Sequence, residues 1–212
     1  MSKNILLFRL FVFLNCVFQI FGQISYVLPE GWFFDGGTPQ NYGAGVDYAT
    51  FYEKAPSGFL KSHPNISSLN SNSHGFLVQR FIPSEYLGKQ VRLTCFIKYS
   101  DVSSSSSMGL YLKVFSVNGG FDNTFNKNAI INGAGDWKKF ESVVNVPEDT
   151  VLIDFGALLN GEGVVWLDKC NFEIVEPPDE LVSFPVPKSE PNENNFGYLT
   201  YPIHLDFSPD SF

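Results

Sequence analysis

The sequence predicts an all-β sandwich, on two observations. Short runs rich in β-branched and aromatic residues recur across residues 76–175 and are bounded by clusters of Gly, Pro, Asn and Ser, a spacing typical of β-sandwiches. Apolar positions in these runs repeat every second residue, and the helical period is nearly absent. The predicted strands span residues 75–82, 90–99, 109–117, 137–146, 150–158 and 163–175.

Strict alternation predicts which side chains face the interior in two of these strands. In the strand at residues 90–99, one face carries Val91, Leu93, Cys95 and Ile97. In the strand at residues 163–175, alternation places on a single face Val164, Trp166, Asp168, Cys170 and Phe172. Both cysteines therefore fall on mostly apolar faces.

The first 22 residues are typical of a secretory signal peptide. Lys3 and Arg9 bracket an apolar run that ends at Gly22, and its uninterrupted part is shorter than the roughly 20 residues that span a bilayer. We expect cleavage near Gly22, and an uncleaved anchor is the alternative. The chain from residue 23 onward then carries 12 basic and 22 acidic residues, a net charge of −10, which argues against a nucleic-acid partner because phosphate binding needs clustered cations.

Two cysteines remain after the signal, Cys95 and Cys170. In an oxidising compartment they can form one disulfide, and two small buried thiols are the alternative. Spacing alone does not decide between these states, since it does not fix the separation of the Cα atoms.

The chain organises into a sandwich domain over residues 23–176 and a tail over residues 177–212. The tail begins rich in proline and acidic residues and is expected to run extended over the surface. Its end, FGYLTYPIHLDF at residues 196–207, regains apolar residues and should dock back onto the domain. Within the domain, the longest connection is predicted at residues 118–136, an aromatic-bearing loop suited to binding.

Several separated motifs resemble one fold family. They are GWFFDGGTPQNYGAGVD at 31–47, GFLVQRFIPSEYLGKQVRLTCFIK at 75–98, FDN at 121–123 and DWKKFESVVNVPEDTVLIDFGALLNGEGVVWLDKCNFEIV at 136–175. Together they resemble the galactose-binding-like jelly rolls related to carbohydrate-binding modules, in a bacterial group found alone or attached to transcription regulators and hydrolases. The resemblance implies a jelly-roll β-sandwich but no particular ligand.

The start of the chain departs from that family's pattern. Such modules often open with an Asn-Leu-Asp-Phe-Glu type strand, whereas residues 23–29 are short here, and HLDF at residues 204–207 looks like that strand displaced to the C-terminus. We therefore predict that HLDF forms a strand at an open sheet edge and buries Leu205 and Phe207.

Catalytic chemistry finds little support in the sequence. His63 and His74 flank a loop and His204 lies in the tail, where solvated histidines are commoner than ligands. No nucleophile elbow is present, and Glu148 and Asp149 follow Pro147 in a predicted turn. The expected class is therefore a secreted, periplasmic or cell-surface binding module without catalysis, and its partner is a glycan or small ligand.

A sugar site needs aromatic rings for stacking, with amides and carboxylates to fix hydroxyl groups. The candidate ligand residues of the loops are Tyr42, Tyr48, Tyr52, Phe121, Asp122, Asn123 and Phe125. The candidates to line a concave sheet are Gln79, Tyr111, Lys113 and Asp154. Alternation places Asp154 opposite Ile153 and Phe155, either on the wet concave face or buried with a partner. The three tryptophans, Trp32, Trp137 and Trp166, match tryptophan positions in the family's pattern and are expected to pack in the core.

Jelly rolls of this type often hold a structural calcium, for which Asp47 and Asp168 are the candidate carboxylates. Calcium prefers six to eight oxygen ligands, and the N-terminal Glu expected in the family is missing here. The alternative to ligand binding is a protein-interaction or surface-assembly module whose edge and tail pair with another chain.

Overall fold

The computed structural model describes residues 24–64, 73–117, 121–123, 131–175 and 198–208. The strands are β1 (Ile24–Ser25), β2 (Trp32–Asp35), β3 (Tyr42–Asp47), β4 (Ser57–Ser62), β5 (His74–Phe81), β6 (Gln90–Val102), β7 (Ser107–Ser116), β8 (Phe121–Asn123), β9 (Gly133–Asn145), β10 (Thr150–Asn160) and β11 (Val164–Val175). A short 3-10 turn, Pro39–Asn41, precedes β3. In this part of the chain, no helix has the length and apolarity needed to cross a membrane.

The strands form two antiparallel sheets. The six-stranded sheet has the order β1-β3-β4-β11-β6-β9, and the five-stranded sheet has the order β2-β5-β10-β7-β8. Apolar side chains from both sheets make one continuous core, which includes Leu60, Leu77, Phe81 and Phe155. The predicted all-β jelly-roll sandwich is thereby confirmed.

All six predicted strands are present, with ends displaced by a few residues. The predicted loop at residues 118–136 is wrong in part, because Phe121–Asn123 form the edge strand β8 and residues 133–136 belong to β9. In β8, Phe121, Asp122 and Asn123 pair with Phe115, Val114 and Lys113 of β7. The signal sequence, Phe125 and residues 177–197 lie outside the described residues.

The alternation predicted for β6 is confirmed, since Val91, Leu93, Cys95 and Ile97 are all fully buried. Cys95 and Cys170 form a disulfide between β6 and β11. In β11 the predicted single face is wrong, because the register against β6 shifts between Asp168 and Asn171. Lys169 has φ of 44° there, as expected of a β-bulge. Val165 and Leu167 therefore face the core before the bulge, and Cys170 and Phe172 face it afterwards.

The tail segment 198–208 packs against the sandwich, but HLDF is not a strand. Residues 204–207 form a turn in which His204 and Phe207 have φ of 47° and 57°, values incompatible with a strand. Phe207 is fully buried and Leu205 is partly buried. A residue farther upstream makes the sheet contact, since Leu199 bridges Phe81 of β5 in parallel.

Candidate functional site

The outward side of the five-stranded sheet carries two neighbouring rows of side chains, fixed by strand register. In the first row, Arg80 of β5, Asp154 of β10 and Lys113 of β7 are direct cross-strand neighbours. In the second row, Phe33 of β2 and Tyr111 of β7 flank Val78 and Gly156. Residues directly opposite on antiparallel strands share a face, so polar and aromatic groups lie side by side. We call this surface the five-strand face.

An ion pair organises the polar row. Arg80 donates from Nε and Nη2 to the two carboxylate oxygens of Asp154, both at 2.6 Å. Asp154 is only 4% exposed, and such a buried carboxylate needs a partner of this kind. The hydrogen bond to Asp154 is the main cause that raises the pKa of Arg80 above its usual range. This pair therefore holds two charged groups in one fixed geometry.

Aromatic rings pack against the cations of this row. The Arg80 guanidinium lies 5.4 Å from the centre of the Phe33 ring, and the Lys113 ammonium lies 4.4 Å from the centre of the Phe115 ring. Both distances are typical of cation–π contacts. These contacts restrict the conformations of the two long side chains.

Between Phe33 and Tyr111 lie Val78 and Gly156, and both are buried. Gly156 has φ of 151°, and a Cβ atom added there would lie 2.0 Å from the Leu77 carbonyl oxygen, so only glycine fits. Phe33 and Tyr111 are three strands apart, or about 14 Å at the usual strand spacing. The second row therefore carries two rings, and the short Val78 side chain and Gly156 between them are covered.

Tyr111 remains protonated well above neutral pH. Burial, together with the nearby charge of Asp154, raises the pKa of its hydroxyl, because both disfavour the phenolate. Its ring is partly buried and packs at 4.7 Å from Phe76. At neutral pH, Tyr111 thus offers both a hydrogen-bond donor and a ring surface.

Two predicted ligand residues belong to the interior instead. Tyr42 is 3% exposed, and its hydroxyl bonds to the Ser73 carbonyl at 2.8 Å and accepts from the Gly161 amide at 3.0 Å. Gln79 is fully buried, and its amide exchanges two 2.8 Å hydrogen bonds with the backbone of Ile203. The ligand-binding predictions for Tyr42 and Gln79 are wrong, because both side chains satisfy buried backbone groups.

Two of the predicted loop aromatics, Tyr48 and Tyr52, belong to the connection after β3 of the six-stranded sheet. Tyr48 is 44% exposed in the connection after β3. Tyr52 stacks on Phe96 at 3.8 Å and meets the edge of the Trp137 ring at 6.0 Å. Phe96 points away from the core of the six-stranded sheet, as the alternation of β6 requires. The structure therefore does not bring Tyr52 together with Tyr111, Lys113 and Asp154.

Asp47 and Asp168 act as hydrogen-bond acceptors that hold the connection after β3. Asp47 accepts from the amides of Ala49 and Thr50 and from the Trp166 indole. Asp168 accepts from the amides of Tyr52 and Lys169. Among the residues with described positions, no group of three or more His, Cys, Asp or Glu side chains is arranged to hold a metal ion. The calcium prediction thus gains no support, since N–H donors occupy these carboxylates.

Asp168 should make stability depend on pH. Burial raises its pKa from 3.8 to about 6 in the folded state, so ionisation is more costly folded than unfolded. The contribution of Asp168 to the free energy of unfolding is therefore most favourable below about pH 4. It falls by about 3 kcal/mol in total as pH rises through about 6.

We expect Asp168→Asn to remove this contribution. The difference in unfolding free energy between wild type and variant, measured by urea titration from pH 4 to pH 7, should change in favour of the variant as pH rises. Parallel stability curves would contradict the raised pKa. A calcium-dependent rise in the wild-type Tm would instead favour the metal site.

Sequence reasoning missed two residues of the five-strand face, Phe33 and Arg80. The strand β2 escaped prediction because it has only four residues. Arg80 lies next to Gln79 in a predicted strand, but only Gln79 was selected as a candidate ligand residue. The sequence does contain a signal for Arg80: it and Asp154 have opposite charges and lie on two predicted strands, so an ion pair between those strands could have been predicted. The prediction that the tryptophans pack in the core is confirmed for Trp32, which is buried. It is wrong for Trp137 and Trp166, which are only partly buried and lie outside the core.

This fold is that of the jelly-roll carbohydrate-binding modules. A xylan-binding domain of carbohydrate-binding module family 22 superposes with a TM-score of 0.51 and 12% identity, over 73% of this chain and 96% of that domain. The C-terminal family 22 module of Clostridium thermocellum Xyn10B superposes with a TM-score of 0.50 and 11% identity, over 73% of this chain and 92% of that module. The resemblance seen in the sequence is thus confirmed at the level of the fold.

One relative is similar in sequence as well. The uncharacterized HTH-type transcriptional regulator YbfP of Bacillus subtilis (strain 168) is 33% identical over 169 residues, which cover 74% of this chain and 55% of the regulator. The chain therefore spans little more than half the length of that relative. No protein-family model matches the chain.

Proposed function

We propose that this chain is a secreted, non-catalytic module that binds a carbohydrate on the five-strand face. The observation that carries the proposal is the fixed polar row of Arg80, Asp154 and Lys113 beside the aromatic row of Phe33 and Tyr111. Rings supply stacking surface for a pyranose, and neighbouring charged groups fix its hydroxyl groups. The fold shared with xylan-binding modules supports the same class of ligand.

Two further features support secretion and a role without catalysis. The disulfide between Cys95 and Cys170 is typical of proteins that mature in an oxidising compartment. Asp154 is buried and uses both carboxylate oxygens to bind Arg80, so it positions that guanidinium and is poorly placed to act as a general acid or base.

The alternative of strand-mediated assembly finds less support. Segment 198–208 packs against its own chain, so these residues are engaged within one molecule. The edge strand β9 exposes charged side chains, including Lys138, Lys139 and Glu141, which discourage edge-to-edge pairing.

Binding should be measured by affinity electrophoresis in gels that contain xylan, mixed-linkage glucan, galactan or polygalacturonate. We expect the wild type to be retarded by at least one of these polysaccharides. Tyr111→Ala should weaken that binding by about fivefold or more, because a stacked aromatic contact contributes about 1 kcal/mol.

Tyr48→Ala is the matched control, since Tyr48 lies on the connection after β3 and not on the five-strand face. Unchanged binding of this variant would separate the two surfaces. Weaker binding of Tyr48→Ala with unchanged binding of Tyr111→Ala would move the site to the loop. A wild type that no polysaccharide retards would overturn carbohydrate binding.

A further inference from the structure

The C-terminal segment continues one edge of the five-stranded sheet. Strand β2 pairs with β5 only from Asp35 to Trp32, where Trp32 faces Gln79. Beyond that point Leu199 pairs with Phe81 of β5. It lies on the edge of β5 that faces β2, because Ile153 of β10 pairs with the opposite edge of Phe81. The Ile82 amide donates to the Leu199 carbonyl at 2.8 Å. The tail thus lies where a longer β2 would run.

This placement puts Tyr198 on the five-strand face. Leu199 stands beside Phe81, whose side chain is fully buried in the core. The preceding residue, Tyr198, therefore falls beside Arg80 on the outward side, since successive side chains alternate between faces. In agreement, the Tyr198 side chain interacts with Arg80 and contributes to the raised pKa of that guanidinium.

The Tyr198 ring is available to a ligand and is held in place. It is 41% exposed, while the segment that carries it is fixed by the two hydrogen bonds between Gln79 and Ile203 and by the buried Phe207. The backbone next to Tyr198 is also anchored, since the Leu199 carbonyl accepts from the Ile82 amide, and an anchored backbone leaves less conformational entropy to be lost on binding. Phe33 and Tyr198 occupy successive outward positions along this edge, about 7 Å apart for a rise of two residues.

We propose that Tyr198 is a ligand-stacking residue that the C-terminal segment adds to the five-strand face, and that it extends the site along an oligosaccharide chain. This inference rests on the proposed carbohydrate binding. Its consequence is that residues outside the sandwich domain determine how long a sugar chain the site contacts.

Affinity electrophoresis with xylan, mixed-linkage glucan, galactan and polygalacturonate tests the inference on the full chain. We expect Tyr198→Ala to weaken binding to the retained polysaccharide by about fivefold. Tyr198→Phe should bind within about twofold of wild type, because the ring remains. Tyr201→Ala is the matched control, since Tyr201 belongs to the same segment and is 62% exposed; it should bind as wild type does.

The wild-type lanes are read first and separate the two proposals. A wild type that none of the four polysaccharides retards overturns the proposed function and, with it, this inference. If the wild type binds and Tyr198→Ala binds equally well, only this inference is overturned. Equal losses in Tyr198→Ala and Tyr201→Ala, or in Tyr198→Ala and Tyr198→Phe, also overturn the stacking role. Thermal melting of each variant identifies any that fail to fold, and for Tyr198→Ala the decision then passes to Tyr198→Leu, which keeps apolar bulk without the ring.

Discussion

Replacing Phe207 with alanine is expected to lower the free energy of unfolding by about 3–5 kcal/mol, the usual range for a buried phenylalanine. Phe207 is fully buried, and its ring centre lies 4.4 Å from that of Trp32. Gly58 leaves the space for this ring, since a Cβ atom added there would come within 2.3 Å of it. The ring fills the interior between the two sheets, so its loss leaves a cavity.

Chemical denaturation and thermal melting measure this effect. For a chain of this size, the expected loss corresponds to a fall in Tm of about 10 °C. Phe51→Ala is the control, because Phe51 is 36% exposed and should cost far less. Truncation after Glu176 should also lower the Tm, since it removes Phe207 together with the Ile203 and Leu199 contacts. A Phe207→Ala variant as stable as wild type would show that the segment does not dock in solution.

The strong interior role of Phe207 illustrates what the sequence predicts and what it does not. Alternation along β6 correctly placed Leu93, Cys95 and Ile97 inside, because that strand is long and its side chains obey one period. For Asp154 of β10 it left two alternatives, and the structure shows the one in which the carboxylate is buried with a partner. HLDF also alternates, yet His204 and Phe207 adopt positive φ and form a turn. Burial of Phe207 depends on contacts with residues that are far away in the sequence, such as Trp32 and Gly58. The local alternation of HLDF does not predict these contacts.

In the candidate site, too, some placements could be predicted from the sequence and others depend on tertiary contacts. Tyr111, Lys113 and Asp154 were proposed for one sheet face, and the register of β7 against β10 places them on the same side. Tyr42 and Gln79 were misassigned because their polar atoms bind backbone groups far along the chain, at Gly161 and Ile203. Which polar residue serves the interior depends on tertiary contacts, and the sequence lists only the residue types.

The second large effect is expected from the disulfide. The double substitution Cys95→Ala/Cys170→Ala should lower the free energy of unfolding by about 4 kcal/mol, the loop-entropy estimate for a closed loop of this size. The sequence separation is 75 residues, and the bond joins β6 to β11, neighbouring strands within the six-stranded sheet. Both cysteines are buried, so lost packing adds to the cost.

Reduction provides the control for this variant. In a chain that begins at Gln23, Cys95 and Cys170 are the only cysteines, so dithiothreitol should destabilise the wild type and leave the double variant unchanged. If the variant unfolds at the same denaturant concentration as the oxidised wild type, the bond contributes nothing to stability and the support it gives to secretion is lost.

The position of Cys170 depends on the bulge at Lys169. The register shift between Asp168 and Asn171 turns Cys170 inward, toward Cys95. The bond therefore depends on a local irregularity of β11 that simple alternation does not predict.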